Sequence, residues 1–449
     1  MRILHTADWH LGNMMHNVDR RKEQEEFLSW LSNVVKEREI EALVIAGDVF
    51  DTYGPPNWAQ GKYYRFLASL INTSCRNIVI VGGNHDSGNL LDAPAELLDA
   101  LNIHVVGTIA NKRIGDRVFE LKDKNDSVAA ICAAVPFVPE ILLGEYCEDR
   151  KNCPEGKFSD IVYSGLYREY LKAAEELRAG RDLPMIATGH LYAAGLEGRY
   201  AGMEEEKKTD DGVRQMDVVG NLGKVHADIF PDEFDYIALG HIHYQTRIAG
   251  IDKIRYSGSP FVMGFDEADL PHYVLQVDLP AEAGGHSLNV EKIEVPRTLR
   301  FLGLQGNIDE ITRQLQEVLD KASSENTYEM YCLEVYYNAQ DASKLRKLID
   351  ETEFPENVSV VSWKVKESAN GYQADFGAHD IKSMSSIQPE DIVRQLVLSK
   401  AAIEKEGLTE EEYAKKQEEE VDRYMPYFLK AFEAALVDNT EKGGRDENP

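Results

Sequence analysis

Five short apolar runs recur along the first half of the chain, and each leads into a turn that carries Asp, Asn or His. Ile3-Leu4 leads to Asp8, Leu43-Val44-Ile45-Ala46 to Asp48, and Ile78-Val79-Ile80-Val81 to Asn84. Met185-Ile186-Ala187 leads to His190 and Tyr236-Ile237-Ala238-Leu239 to His241. Runs this short and this rich in β-branched residues predict buried strands. In open α/β sheets ligand chemistry gathers beyond the carboxyl ends of the strands, so all five are expected to aim these side chains at one edge. Helical periodicity falls between them. It predicts helices over 20–38, with Phe27, Leu31, Val34 and Val35 on one face, over 57–72, with Tyr63, Tyr64, Phe66 and Leu67, and over 90–101, with Leu90, Leu91, Leu97, Leu98 and Leu101. Strand, helix, strand in this order predicts parallel crossover units.

Further along the pattern changes. Residues 145–183 are charged, contain a helical stretch over 163–178, and read as an insertion before the fourth strand. Residues 199–218, with Glu204-Glu205-Glu206-Lys207-Lys208, read as a polar loop. The alternation Val274-Leu275-Gln276-Val277-Asp278-Leu279 reads as the last strand of a first domain, 1–280. From about 298 the order strand, helix, strand, helix, strand restarts, over 300–304, 308–322, 328–337, 342–350 and 358–366, predicting a small α+β domain within 281–367. Residues 368–387 are a polar, glycine- and serine-containing linker. Pro389-Glu390-Asp391 opens a helix, Gly407 ends it, and Thr409 with Glu412 forms a capping box for the next. Ile392, Leu396 and Ile403, then Tyr424, Phe428, Phe432 and Leu436, give the pair over 388–437 an apolar stripe that must be buried on the chain itself or on a partner. Residues 438–449 read as a disordered tail.

Composition narrows the class. A length of 449 residues suggests about two to four domains. No run reaches the roughly 18 apolar residues of a membrane span, and the first apolar stretch breaks at Asp8, so a cytoplasmic protein is expected. Five cysteines (75, 132, 147, 153 and 332) include no Cys-x-x-Cys and read as reduced thiols. The formal net charge of −29 argues against nucleic-acid binding by bulk charge, since phosphate affinity comes from Lys and Arg. Bound metal ions or a partner subunit would have to supply the positive surface.

The chemistry lies in the turns: Asp8-Trp9-His10, Gly47-Asp48-Val49-Phe50-Asp51, Gly83-Asn84-His85-Asp86, Gly189-His190 and Gly240-His241-Ile242-His243. Carboxylate, amide and imidazole are donors to divalent metals, and glycines allow tight turns beside an ion. Each motif alone is common. Five in this order, each after a strand, point to a two-metal phosphoesterase centre. The mixed donor set suits Zn, Fe, Mn or Mg. Asp51 reads as a loop or supporting residue, and Asp86 alternatively as a helix N-cap. The remaining histidines have no such context, except that His16, in the loop after the first motif, could reach a phosphate.

These motifs, with the opening 1–12 and Tyr256-Ser257-Gly258-Ser259-Pro260, resemble the calcineurin-like metallophosphoesterase superfamily, and more narrowly its DNA-repair nuclease subunits. The resemblance covers roughly residues 1–275. It implies a β-sandwich flanked by helices, followed by a capping domain and C-terminal helices. It implies that Asp8, His10 and His243 bind one metal, that Asn84, His190 and His241 bind another, and that Asp48 bridges them. Two Mn²⁺ ions are implied, with Mg²⁺ a poorer substitute. His85 would stabilise the transition state or protonate the leaving oxygen, and Asp86 would orient its ring. The implied activity is 3′–5′ exonuclease on duplex ends and endonuclease on hairpins and single strands, in DNA repair and recombination. The implied partners are a coiled-coil ATPase docked on 388–437 and a second copy docked through helices 57–72 and 90–101. A phosphoesterase of other specificity, such as a cyclic-nucleotide phosphodiesterase or phosphatase, shares the same metal motifs. A scaffold subunit would not be expected to keep all seven ligands.

Overall fold

The computed structural model describes residues 1–365 except 17, 111–112, 140–141, 143–157, 194–224, 249, 269, 283, 285–287 and 325–328, together with residue 416. Residues up to 365 belong to one compact unit, Met1–Lys366. Its elements begin β1 (Arg2–Thr6), α1 (Arg21–Glu37), β2 (Ala42–Ala46), α2 (Asn57–Leu70), β3 (Asn77–Val81), α3 (Gly88–Asp92), α4 (Ala95–Asp99) and β4 (Ile103–Val106). They continue β5 (Val118–Lys122), β6 (Val128–Ala133), α5 (Phe158–Arg178), β7 (Met185–His190), β8 (Tyr236–Gly240), β9 (Thr246–Arg247), β10 (Ile254–Tyr256), β11 (Tyr273–Asp278) and β12 (Asn289–Glu294). The last are β13 (Leu299–Gly306), α6 (Ile308–Ser324), β14 (Met330–Tyr337), α7 (Ala342–Glu351) and β15 (Val358–Val365).

Two six-stranded sheets result, ordered β12-β11-β1-β2-β3-β4 and β5-β6-β7-β8-β10-β9. Strands β1 to β4 are parallel, and so are β6, β7 and β8. Alternation along each strand makes the sandwich. Ile3, Val44 and Val79 point inward, against Cys132, Ile186 and Ala238 of the facing sheet. Leu4, Leu43, Ile45 and Ile80 point outward, under Phe27, Leu31, Phe66 and Leu67 of α1 and α2. Ala187, Ile237 and Leu239 point outward under α5. A third sheet, β13-β14-β15, packs α6 and α7 on one face. Leu299, Phe301 and Cys332 on its other face meet Met15, Val262 and Ala268 of the sandwich loops.

Several expectations are corrected. The sandwich does not end at 280, because β12 adds an edge strand to β11. Only Val290 and Ile293 of β12 are partly buried, so its apolar alternation is faint. The helix expected over 90–101 is two short helices. Pro94 sits at the break, where it has no N–H to continue the ladder. Residues 158–178 are integral to the fold, since α5 buries Val162, Tyr163, Leu166, Tyr167, Tyr170 and Ala174. The small domain's three strands are all parallel, a βαβαβ unit. The loop expected at 199–218, the linker and the tail lie outside the described residues, as does the helical pair apart from Lys416. Among the described residues, no helix is long and apolar enough to cross a membrane.

The α5 packing can be checked directly. Tyr167 is fully buried and its hydroxyl donates to the Thr188 carbonyl at 2.9 Å, just before the His190 turn. Tyr167→Ala is expected to destabilise the protein by roughly 3–5 kcal/mol in urea unfolding. A loss below about 1 kcal/mol would show α5 to be a dispensable addition.

Candidate metal centre

The five motif turns meet, but not at the edge of a single sheet. β1, β2 and β3 deliver Asp8, Asp48 and Asn84 from the first sheet, and β7 and β8 deliver His190 and His241 from the second. Because the motif strands of each sheet run parallel, the carboxyl ends of both meet at one rim. Pairing persists past the strand ends: the Asp8, His10 and Leu11 amides donate to the carbonyls of Gly47, Asp48 and Val49 at 3.0, 3.0 and 2.9 Å. The close approach needs glycine. A Cβ on Gly47, whose φ is +94°, would enter the His190 ring, and one on Gly83 would enter the Asp48 carboxylate. Four motif residues are themselves left-handed: Asp8 (φ 54°), His10 (42°), Asp48 (48°) and His241 (98°). Each such residue costs on the order of 1 kcal/mol and persists only where its surroundings over-determine it.

Asp48 lies at the centre. Its Oδ1 accepts the His85 amide at 2.8 Å. Its Oδ2 is 3.2 Å from His190 Nε2 and 3.6 Å from His10 Nε2. Asn84 Oδ1 lies 3.0 Å from both His190 Nε2 and His241 Nδ1. Asp8 accepts the His241 amide at 2.9 and 3.1 Å and groups with His10 and His243. Asp8, Asp48 and His190 form a second such cluster. Asp8, His10, Asp48, Asn84 and His190 are buried, while His85, His241 and His243 are partly exposed and form the open side.

This geometry fits divalent cations. His190 Nδ1 faces the Ala46 carbonyl at 2.9 Å; a carbonyl only accepts, so Nδ1 carries the proton. Nε2 then presents its lone pair to Asn84 and Asp48, two more acceptors, and the cluster needs a second proton or a cation at its middle. Neither ring nitrogen of the buried His10 has a well-directed hydrogen bond. The ionisation pattern agrees. Burial is the largest influence on His190 and opposes charge, yet Asp48 and Asp8 outweigh it and raise the ring to about 9. Burial foremost raises Asp8 to about 7. Burial also opposes the Asp48 charge, but His190 and His10 hold that carboxyl far below its usual range. Burial, then His190, lowers His241 to about 3, and burial lowers His243 well below its usual value, leaving both as neutral donors.

Asp86 does not orient the His85 ring. Its carboxylate accepts the amides of Val49, Phe50 and Gly83 at 3.0, 2.8 and 3.0 Å, tying the second and third motif turns together. The His85 ring is held by the Asp51 carbonyl, which faces Nδ1 at 3.0 Å. Asp51, read from the sequence as a loop or supporting residue, has a supporting place here. Its carboxylate also sits 3.3 Å from His10 Nδ1, a close charge contact without a well-directed hydrogen bond. The second acid of Gly-Asp-x-x-Asp was the available signal. His16 lies 3.9 Å from Glu334 of the third sheet and packs on Phe265.

Two titrations follow from the site. Asp8 holds more protons folded than unfolded between pH 3.8 and about 7, and His190 does so between 6.5 and about 9. Both contributions fall as pH rises through those windows. Both groups must also release a proton to donate to an ion, so metal affinity rises over the same range. Chelator-treated protein is expected to melt at a lower temperature at pH 9 than at pH 7, with the stabilisation by added divalent metal growing in parallel. Melting that is insensitive to pH and metal across that interval would contradict this reading.

Comparison with known proteins gives the same picture. The calcineurin-like phosphoesterase family matches over residues 1–245. The chain is 33% identical over 321 residues to the SbcD subunit of the SbcCD nuclease of Escherichia coli K12, covering 71% of this chain and 74% of that protein. It is 33% identical over 309 residues to the SbcD subunit of Rhodobacter capsulatus, covering 68% and 71%. The SbcD subunit of Bacillus subtilis is 33% identical over 282 residues, covering 62% and 66%.

Proposed function

Because the chain belongs to the calcineurin-like phosphoesterase family and groups there with the SbcD subunits of SbcCD nucleases, we propose that it is a metal-dependent DNA nuclease that hydrolyses phosphodiester bonds together with an SbcC-type ATPase. The observation that carries this reading is the convergence of metal donors from both sheets on the buried Asp48 carboxylate.

The finer reading has two ions, with Mn²⁺ preferred and Mg²⁺ a substitute. Asp8, His10 and His243 would hold one, Asn84, His190 and His241 the other, and Asp48 would serve both. When bound, such ions activate water and polarise phosphoryl oxygens. The protein's own residues supply the rest. The Asp86 carboxylate keeps the second and third turns in register through its three amide contacts. The Asp51 carbonyl fixes the proton of His85 on Nδ1, which leaves Nε2 as the nitrogen for the substrate. The oxygen that leaves phosphorus must gain a proton, and protonated His85 donates it from Nε2. The substrates are duplex ends, cut 3′ to 5′, and hairpins and single strands, cut internally. The net charge of −29 supports a reading in which the ATPase, docked through 388–437, supplies much of the DNA-binding surface. Exposed Tyr64, Ile71, Leu97 and Leu101 support a homodimer built on α2 and the α3–α4 region. The unpaired Cys75, Cys132 and Cys332 agree with work in the cytoplasm.

The test is cleavage of end-labelled duplex and hairpin DNA with Mn²⁺, beside the small diester bis-p-nitrophenyl phosphate. Asp48→Ala is expected to lose both activities and the metal. His85→Ala is expected to keep the metal and to cut DNA about 10²–10⁴ times more slowly, with a smaller loss on the small diester, whose leaving group departs unprotonated. Failure of the wild type to cut DNA with Mn²⁺ and the ATPase present would overturn the nuclease reading. Equal losses of His85→Ala on both substrates would overturn the proton-donor role.

A further inference from the structure

The guanidinium of Arg20 is fully buried, and its partners come from three parts of the fold. Phe261 of the sandwich and Phe301 of β13 each lie with their ring centre 5.4 Å from it. Nη1 donates to the Val262 carbonyl at 2.9 Å and to Asn13 Oδ1 at 3.0 Å, and Nε donates to Glu23 at 2.7 Å. Burying a guanidinium is costly unless its geometry is satisfied. Here Nε and Nη1 have partners while Nη2 has none among the described residues, and the Nη1 contacts continue toward the site.

Asn13 has its amide orientation set from both ends. Its oxygen accepts from Arg20, so its nitrogen faces the Asp51 carboxylate and donates to Oδ1 at 3.0 Å. That same Oδ1 lies 3.3 Å from His10 Nδ1. A series of contacts therefore runs from Phe301 through Arg20, Asn13 and Asp51 to His10, and its last step is a close charge contact rather than a well-directed hydrogen bond. The same turn of α1 steadies the backbone: Gln24 Oε1 accepts the Gly12 amide at 3.1 Å. Among the described residues no corresponding series reaches His190, whose Nδ1 is held by the Ala46 carbonyl.

We propose that Arg20 and Asn13 are positioning residues that couple the seating of the β13-β14-β15 unit to one metal site only, the one built on His10. The inference rests on the two-ion reading above. Outer partners of metal ligands commonly govern affinity by about 10–100-fold. The seating of Phe301 thereby sets how well His10 is aimed.

The experiment is Mn²⁺ titration of the full chain by calorimetry, with free Mn²⁺ counted by electron paramagnetic resonance, for wild type, Asn13→Ala and Phe301→Leu. Asn13 is only partly buried, so Asn13→Ala tests the series without emptying the core. Metal-free melting curves report folding separately. The expected result is two ions in the wild type and, in both variants, one ion weakened about 10–100-fold with the other unchanged. Wild-type affinity for both ions in either variant would overturn the coupling. Equal weakening of both ions would also overturn it, since a general loosening of the fold would do that. If the wild type binds a single ion, the two-ion reading falls. The coupling then stands if both variants weaken that ion, and falls if either does not.

Discussion

The Asp48 carboxylate is the constraint around which the molecule is organised. It is buried where two sheets meet, faced by His190 from one sheet and by His10 and the His85 amide from the other. Such a charge is tolerable only with cationic or hydrogen-bonding partners on every side. The sandwich provides them by running the motif strands of both sheets parallel toward one rim. The inner cores of Ile3, Val44, Ile186 and Ala238 register the sheets, and that register brings the two halves of the site together.

This arrangement concentrates unfavourable terms in one place. Asp8, His10, Asp48 and His241 adopt left-handed backbone, Gly47 and Gly83 leave no room for a side chain, and acceptor atoms face one another across His190. Bound divalent metal would relieve much of the electrostatic part, because donors that repel their neighbours in the bare site would become ligands. Folding stability and metal affinity are linked in such a centre. The outer supports serve the same end: Asp86 binds the turns to each other, and Asp51 holds the His85 ring through its carbonyl while its carboxylate lies close to His10.

Much of this was legible in the sequence, and the reasons are local. Each motif follows a short apolar run, often β-branched, and such runs formed strands ending where the side chains were needed, as Ala42–Ala46 before Asp48 and Met185–His190 show. Features that depend on long-range pairing were not legible. The division of the five strands between two sheets leaves no trace in strand periodicity. The Asp86 contacts link positions 49, 50 and 83, which only the folded turns bring together. Helix α5 was legible over 163–178, but its integral packing was hidden because Tyr163, Tyr167 and Tyr170 lie in a stretch rich in charged residues that reads as an insertion. Edge strand β12 exposes most of its residues and carries a faint apolar signal. Pro94 was the one local signal overlooked.

The most direct measurement is anomalous diffraction at the manganese edge from crystals of the full chain equilibrated with Mn²⁺. The account predicts two peaks flanking the Asp48 carboxylate, one against Asp8, His10 and His243 and the other against Asn84, His190 and His241. Peaks away from Asp48, or a fully occupied single ion with one ligand set empty, would contradict it.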